Sequence, residues 1–349
     1  MNKINYFHCL MSIGYGTALL LVPVLAVGRG MEGVSLTPEE HWSNLTGGKE
    51  AIFHYRVQAE SAYECRLGWL LSAASRPLAR GEKTVNVSPG NPQVVEIRVP
   101  VPPVREGVVL ATDLSVTLCQ DRSAGVETNV TRRLWVFSEN PLADRLAWLK
   151  TLDLRLFDPA KKTAEAFTRA GIPFKTVPTL DVVPSFPSSV VVIGEGVSAR
   201  NYRGLGDVMA RAMAAGVPIL CLSVTEGTVK LPGLGETAEK PDEIYFRRNA
   251  VIREMDPRLD DVVWPPDGRI VIGGFQIKGE RGPIVAEAVP AGQGWPWLEI
   301  RQGERGRIVL CGFGIVSKWD AGPTAKCLLA AILERLAGLP ADTTNKAKE

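Results

Sequence analysis

Seven side chains that could do chemistry follow the predicted ends of apolar strands in the part of the chain after residue 150. The carboxyl ends of parallel strands meet at one edge of an open sheet, and ligands bind in the crevice at that edge. Carboxylates beside an aromatic ring suit sugar binding or acid–base hydrolysis, and a serine beside a lysine suits nucleophilic catalysis. These residues are Asp158, Glu195, Ser223, Glu226, Lys318, Trp319 and Asp320.

Two catalytic pairings are open: Glu195 with Glu226, and Ser223 with Lys318. The candidates for ligand binding are Asp158, Glu195, Glu226, Trp319 and Asp320. Each also has an ordinary structural explanation. Asp158 and Asp320 are good helix N-caps, Glu226 suits a solvated surface, and Trp319 suits the packing of the last helix.

Histidine is missing where a nucleophile would need it. The chain has three histidines, His8, His41 and His54, and none lies in the second half. A serine or cysteine nucleophile normally needs an adjacent base. A triad therefore cannot form locally. Only His41 or His54, reaching across domains, could supply an imidazole, and a variant with Ser223 and Lys318 is the other possibility.

The sequence does not indicate a cofactor or a metal ion. Gly194-Glu195-Gly196 does not extend to the phosphate-binding pattern GxGxxG, because Ala199 stands at the third glycine position. The cysteines have no CxxC spacing, so a zinc ribbon is not indicated. Cys221 suits a buried structural thiol.

The stretch from Ser189 to Gly227 would position the chemical residues. Ser189–Ile193 and Val217–Ser223 are apolar runs, and Asn201–Ala215 between them has the apolar period of a helix. Runs that are apolar on both faces suit a parallel sheet covered on both sides. We therefore expect an α/β unit of flavodoxin-like class here.

The residues from Lys49 to Phe137 predict a different architecture. Short alternating strands follow one another, separated by turn signals such as Arg80-Gly81, and no helical pattern interrupts them. This favours an antiparallel β-sandwich of immunoglobulin-like type. The period of two places Cys65 and Cys119 on opposite faces, which argues against a disulfide between them.

Five segments follow from these patterns. They are a signal peptide or N-terminal anchor over 1–28, a β-sandwich domain over 29–138 that starts with a polar segment, a connecting helix over 139–150, an α/β domain over 151–339, and a disordered tail over 340–349.

The N-terminus indicates export. Leu10–Val27 contains no charged residue, Lys3 precedes it, and Ala26-Val27-Gly28 resembles a cleavage site. We expect a periplasmic or extracellular protein; the alternative is an uncleaved membrane anchor. The net charge is only +2 and no long basic run occurs, which argues against nucleic acid as a partner.

The order of elements after residue 150, together with the segment Gly306–Ala325, resembles the class I glutamine amidotransferase-like fold. Its degenerate relatives include the trimerisation-type domains of some β-galactosidases and domains of exported bacterial proteins that also carry a β-sandwich. Active members place a nucleophilic cysteine in a pattern like Pro-x-x-Gly-x-Cys-x-Gly. In the matching stretch Pro218–Thr225, Cys221 and Thr225 replace the glycines and Ser223 replaces the nucleophile. The resemblance thus implies a fold that has lost its catalytic triad, because Lys318 to Asp320 stand where the histidine would be.

The expected function is therefore an exported, non-catalytic binding or assembly module of the cell envelope. The partner would be a carbohydrate or an envelope protein, with homo-oligomerisation left open, and the link to glycans rests on analogy alone. The alternative is a hydrolase that acts on a glycan or an ester through the candidates named above.

Overall fold

A computed structural model of the chain describes residues 33–119, 127–186, 188–233, 240–279, 284–303 and 306–338. The expected signal or anchor over 1–28 and the expected tail over 340–349 lie outside the described residues. Within the described part of the chain, no helix is both long and apolar enough to cross a membrane.

The first part of the chain is a β-sandwich, here called the sandwich unit (residues 33–137). One sheet has the order β1-β3-β6 and the other has the order β2-β8-β7-β4-β5. All pairs are antiparallel except β2 with β8. The strands are β1 (Val34–Pro38), β2 (Asn44–Thr46), β3 (Glu50–Ala59), β4 (Tyr63–Ala73), β5 (Arg76–Val87), β6 (Gln93–Pro100), β7 (Val109–Cys119) and β8 (Glu127–Phe137).

The sandwich confirms the predicted architecture but corrects two details. The polar segment predicted to lead into the sandwich contains β1 and β2, which are too short for their own pattern to reveal them. The turn predicted at Arg80-Gly81 lies inside β5. A Cβ on Gly81 would lie 2.6 Å from the Trp69 ring, so the glycine leaves room for the indole. Cys65 and Cys119 are both free thiols.

The second part is built on a seven-stranded sheet and is called the mixed-sheet unit (residues 146–336). The sheet order is β10-β9-β11-β12-β18-β17-β14, and a small sheet has the order β13-β16-β15. The elements are α1 (Leu146–Leu149), β9 (Leu154–Phe157), α2 (Lys162–Arg169), β10 (Lys175–Thr176), a 3-10 helix (Leu180–Ser185), β11 (Val190–Ile193), α3 (Leu205–Ala214), β12 (Ile219–Leu222), β13 (Thr228–Lys230), β14 (Glu243–Arg247), α4 (Val251–Met255), β15 (Gly273–Lys278), β16 (Val285–Pro290), β17 (Trp297–Gln302), β18 (Gly306–Cys311) and α5 (Thr324–Leu336).

The first five strands of the large sheet are parallel; β17 then pairs antiparallel with β18, and β14 pairs antiparallel with β17. Both faces of the sheet are covered. Val190 and Val192 of β11 pack in one core with α2 and α5, whereas Val191 and Ile193 pack in a second core with α3. Burial on both faces explains why these strands read as continuous apolar runs.

Several predicted elements differ in extent. The helix predicted over Asn201–Ala215 is α3, which begins only at Leu205, and the last helix begins at Thr324 rather than near Asp320. The sequence also predicts a strand over 270–272 and irregular structure over 228–268. The structure instead has β15 directly after the first segment and β14 within the second. Glycine and proline near these segments obscured their pattern.

The two units are joined by a buried hydrogen-bond network. The Asp260 carboxylate accepts hydrogen bonds from the backbone N–H groups of Ser43 and Asn44, at 2.9 and 3.0 Å. Thr324, at the start of α5, donates a hydrogen bond of 2.6 Å to the Asn44 side chain. Because Asn44, Asp260 and Thr324 are all buried, this junction holds the units in one arrangement.

Candidate functional site

The carboxyl edge of the parallel strands contains a cleft beside the point where the chain reverses direction across the sheet. From β9 the chain passes outward to β10 and then returns to β11 on the other side of β9. The loops after β9 and β11 therefore diverge, which is where open sheets of this kind bind ligands. The cleft has a volume of about 560 Å³, and its polar lining includes Asp158, Lys161, Asp181, Asn201, Tyr202 and Arg203.

Asp158 lies at the end of β9 and has one free oxygen. Its Oδ2 accepts a hydrogen bond of 2.8 Å from the backbone N–H of Ala164, which fixes the start of α2. Its Oδ1 is buried and has no hydrogen-bond partner among the described residues. A Cβ on Gly194 would lie 2.8 Å from this oxygen, so only glycine leaves it uncrowded. The N-cap residue of α2 is Lys161, so the N-cap expectation for Asp158 is wrong, although its Oδ2 accepts from the first turn of the helix. Its Oδ1 is an unsatisfied acceptor.

Two cations line the same cleft. Lys161 precedes α2 with a left-handed backbone (φ 61°), and Arg203 precedes α3. Neither forms an ion pair within the described part of the chain. The N-cap of α3 is Gly204, which has no side chain to accept from the first turn. The cleft therefore carries charges of both signs beside an uncapped helix N-terminus.

Glu195 lies at the same sheet edge but is engaged in structural contacts. Its Oε2 accepts from the backbone N–H of Val316 at 2.7 Å, and its Oε1 accepts from that of Ser317 at 2.8 Å. Burial raises the pKa of the Glu195 carboxyl, although both hydrogen bonds act in the opposite direction. The side chain fastens the loop after β18 to the loop after β11.

The structure does not bring Ser223 and Lys318 together as a catalytic pair. Ser223 is buried, and a Cβ on Gly273 would lie 2.7 Å from its hydroxyl oxygen. Lys318 is also buried, and its ammonium group pairs with Asp267. Among the described residues, Ser223 Oγ makes no hydrogen bond to Lys318 or to another base.

The remaining candidates are also committed elsewhere. Glu226 is exposed and accepts from Ser198 Oγ at 3.1 Å while pairing with Arg200 at 3.3 Å. The Trp319 ring is 2% exposed and packs near Phe167, so it offers no face to a sugar.

Asp320 does not cap α5, because the N-cap of that helix is Pro323. It forms an exposed ion pair of 3.0 Å with Arg169 instead. The N-cap expectation for Asp320 is therefore wrong.

The cysteines of the mixed-sheet unit are not activated. Burial raises the pKa of Cys221 to about 12, and it also raises the pKa of Cys327 to about 12. Burial likewise raises the pKa of Cys311. Thiolates are the reactive form, so none of these residues is a nucleophile in this state.

Sequence reasoning identified Asp158 but missed Lys161, Asp181, Asn201, Tyr202 and Arg203. These residues lie in short connecting segments, where no period marks them. Their position in the segments that follow strands β9, β10 and β11 is the signal that could have found them.

No protein-family model matches the chain, and no curated protein matches it. Among solved structures, the C-terminal domain of Wzt is 20% identical, over 32% of this chain and 77% of that one, with a TM-score of 0.25. A CARDB domain from Pyrococcus furiosus, solved with di-metal ions, is 18% identical. The match covers 31% of this chain and 98% of that one, with a TM-score of 0.24. The apo Calx CBD1 domain is 10% identical. The match covers 31% of this chain and 98% of that one, with a TM-score of 0.24. These are β-sandwich domains, and at such scores the likeness carries no argument about function.

Proposed function

We propose that this chain is an exported, non-catalytic binding module of the cell envelope whose ligand site is the cleft beside Asp158. One observation supports the proposal that the module does not catalyse a reaction. The groups that could begin an acid–base or nucleophilic step are bound to protein groups: Glu195 to Val316 and Ser317, and Lys318 to Asp267. A general acid or base must instead reach the reacting atom of a substrate.

We also infer that the mixed-sheet unit is a degenerate member of the class I glutamine amidotransferase-like fold. The parallel strand order β10-β9-β11-β12-β18, with helices on both faces, supports a doubly wound, flavodoxin-like arrangement. Ser223 follows β12, where the relatives keep their cysteine, and it is buried. In this proposal the unit keeps the strand order of the fold and has lost the catalytic triad.

The junction between the units supports a role in binding or assembly. Asp260, Asn44 and Thr324 form a buried network that fixes the sandwich unit against the mixed-sheet unit. A fixed relative position lets two surfaces of one molecule engage a partner together without an ordering cost. The uncharged segment 10–27 supports export.

The hydrolase alternative has one observation in its favour. The pKa of the Glu195 carboxyl is raised by burial, as it is in many general acids. Both of its oxygens are already hydrogen-bonded to backbone, however, and Glu226 is in an exposed ion pair. Burial alone accounts for the raised pKa, and the backbone hydrogen bonds leave neither oxygen free for a substrate, so binding is the better proposal.

A glycan-array screen of the full chain tests the proposal. We expect retention of a glycan by the wild type, equal retention by Ser223→Ala and Glu195→Gln, and loss with Asp158→Asn. Retention that depends on Ser223 or Glu195 instead would place the site at the hydrolase candidates. An array that retains no glycan would remove the carbohydrate link.

A further inference from the structure

We propose that the cleft beside Asp158 binds an anionic sugar, that is, a hydroxylated ring carrying a carboxylate or a phosphate. This inference rests on the proposed binding function and names the ligand class of that site. It concerns the loops after β9, β10 and β11, and it does not involve Ser223, Glu195 or Lys318.

The size and position of the cleft suit a small polar ligand. About 560 Å³ is within the usual range for small-molecule sites, which is roughly 300–1,000 Å³. The cleft opens at the carboxyl edge of the sheet, where two consecutive loops diverge. Its lining also includes the apolar side chains of Phe157 and Val208, and the charged groups come from the segments that follow β9, β10 and β11.

The cleft lining offers hydrogen-bond acceptors. Asp158 lines the cleft, and its Oδ1 has no partner among the described residues. A carboxylate that lacks a protein donor favours a ligand that supplies one. Asp181 and Asn201 add further polar groups to the lining. Sugar hydroxyls supply donors to several acceptors at once.

The cleft also suits an anion. Lys161 and Arg203 line it, and neither forms an ion pair within the described part of the chain. Arg203 directly precedes Gly204, the uncapped N-terminus of the ten-residue α3. A guanidinium group and a helix N-terminus each favour a carboxylate or phosphate oxygen. One ligand that satisfies both the acceptors and the cations must carry hydroxyl groups and a negative charge.

Isothermal titration of the full chain with four probes tests the inference. The probes are glucuronate, glucose 6-phosphate, N-acetylglucosamine and inorganic phosphate. We expect either glucuronate or glucose 6-phosphate to bind at least about tenfold more tightly than both N-acetylglucosamine and phosphate. Which of the two binds better tells a carboxylate source from a phosphate source.

Variants locate the binding. Asp158→Asn keeps a side-chain oxygen for the Ala164 N–H but removes the charge, and we expect it to weaken the anionic sugar roughly ten- to a hundredfold. Arg203→Gln should weaken binding of the anionic sugar until its affinity equals that of N-acetylglucosamine. The matched controls lie on α3 outside the cleft lining: Asp207→Asn and Arg211→Gln should bind like the wild type. Thermal melting confirms that each variant is folded.

Three results would overturn the inference. If N-acetylglucosamine binds as tightly as the anionic sugars, the ligand does not need a negative charge. If inorganic phosphate binds as tightly as they do, the cleft holds an adventitious ion only. Failure of every probe, with folded protein, shows that the cleft is not a site for this ligand class. The proposed binding function is contradicted by different results. These are turnover of a substrate, or glycan retention that is unchanged in Asp158→Asn.

Discussion

The Oε2 atom of Glu195, in the loop after β11, lies 2.7 Å from the backbone nitrogen of Val316, in the loop after β18. The second oxygen binds the next N–H, that of Ser317, at 2.8 Å. A carboxylate that could have been a general acid is therefore a clamp between two loops at the carboxyl edge of the sheet. Removing this clamp is expected to affect stability rather than a reaction.

Glu195→Ala should destabilise the fold by about 2–4 kcal/mol, because two backbone N–H groups lose their acceptor. Chemical denaturation measures the change. Glu226→Ala is the matched control, and it should cost less than about 1 kcal/mol because Glu226 is in an exposed pair with Arg200. Equal costs for the two variants would show that Glu195 is not a structural clamp.

Asp260→Ala should uncouple the two units. It removes the acceptor for the N–H groups of Ser43 and Asn44, and we expect a loss of about 2–4 kcal/mol. Calorimetry should then resolve two unfolding transitions where the wild type shows one. Asp261→Ala is the control, since that carboxylate only approaches Arg253 at 4.0 Å. A single unshifted transition in Asp260→Ala would contradict the rigid junction.

Thiol alkylation distinguishes a structural from a reactive Cys221. Burial raises its pKa to about 12, so little thiolate forms near neutral pH. Peptide mapping after brief alkylation of the native protein should find Cys221 unlabelled and the less buried Cys119 labelled first. Both should react fully once the chain is unfolded. Rapid native labelling of Cys221 would indicate an activated nucleophile.

Asp153 should contribute to acid sensitivity. Hydrogen bonds from Lys175 and Ser189 lower the pKa of its carboxyl from 3.8 to about 2. A lowered folded-state pKa stabilises the fold above the unfolded pKa, and this contribution disappears as the pH falls from about 4 towards 2. Asp153→Asn should therefore cost about 1–2 kcal/mol at neutral pH.

The cost of Asp153→Asn should shrink as the pH approaches 2, which urea denaturation at several pH values measures. Asp207→Asn, in an exposed pair with Lys230, is the control and should change little at any pH. A cost for Asp153→Asn that stays constant with pH would show that the charge of Asp153 is not responsible.

The buried centre of the fold could be predicted from the sequence because its signals are local. The sequence predicts a strand over Leu154–Phe157, which are the bounds of β9, and β11 lies within the predicted run Ser189–Ile193. Both are recognisable because strands buried on both faces are continuously apolar. β1, β2 and β14 were missed because short strands depend on their partners rather than on their own pattern.

The candidate site was predictable only in outline. The rule that strand ends share an edge identified Asp158 and Glu195 as neighbours of that edge. It could not reveal that Glu195 binds the N–H groups of Val316 and Ser317, because any residue supplies a backbone N–H. Nor could it reveal the ion pair of Lys318 with Asp267, which depends on the path of a long irregular segment.

The central claim is that the mixed-sheet unit binds without turnover. Its most direct test is the hydrolysis rate of a panel of chromogenic acetyl esters and glycosides, measured with the wild type and with Ser223→Ala and Glu195→Gln. The account predicts that all three proteins give the same background rate. Turnover by the wild type that is lost in either variant would contradict it.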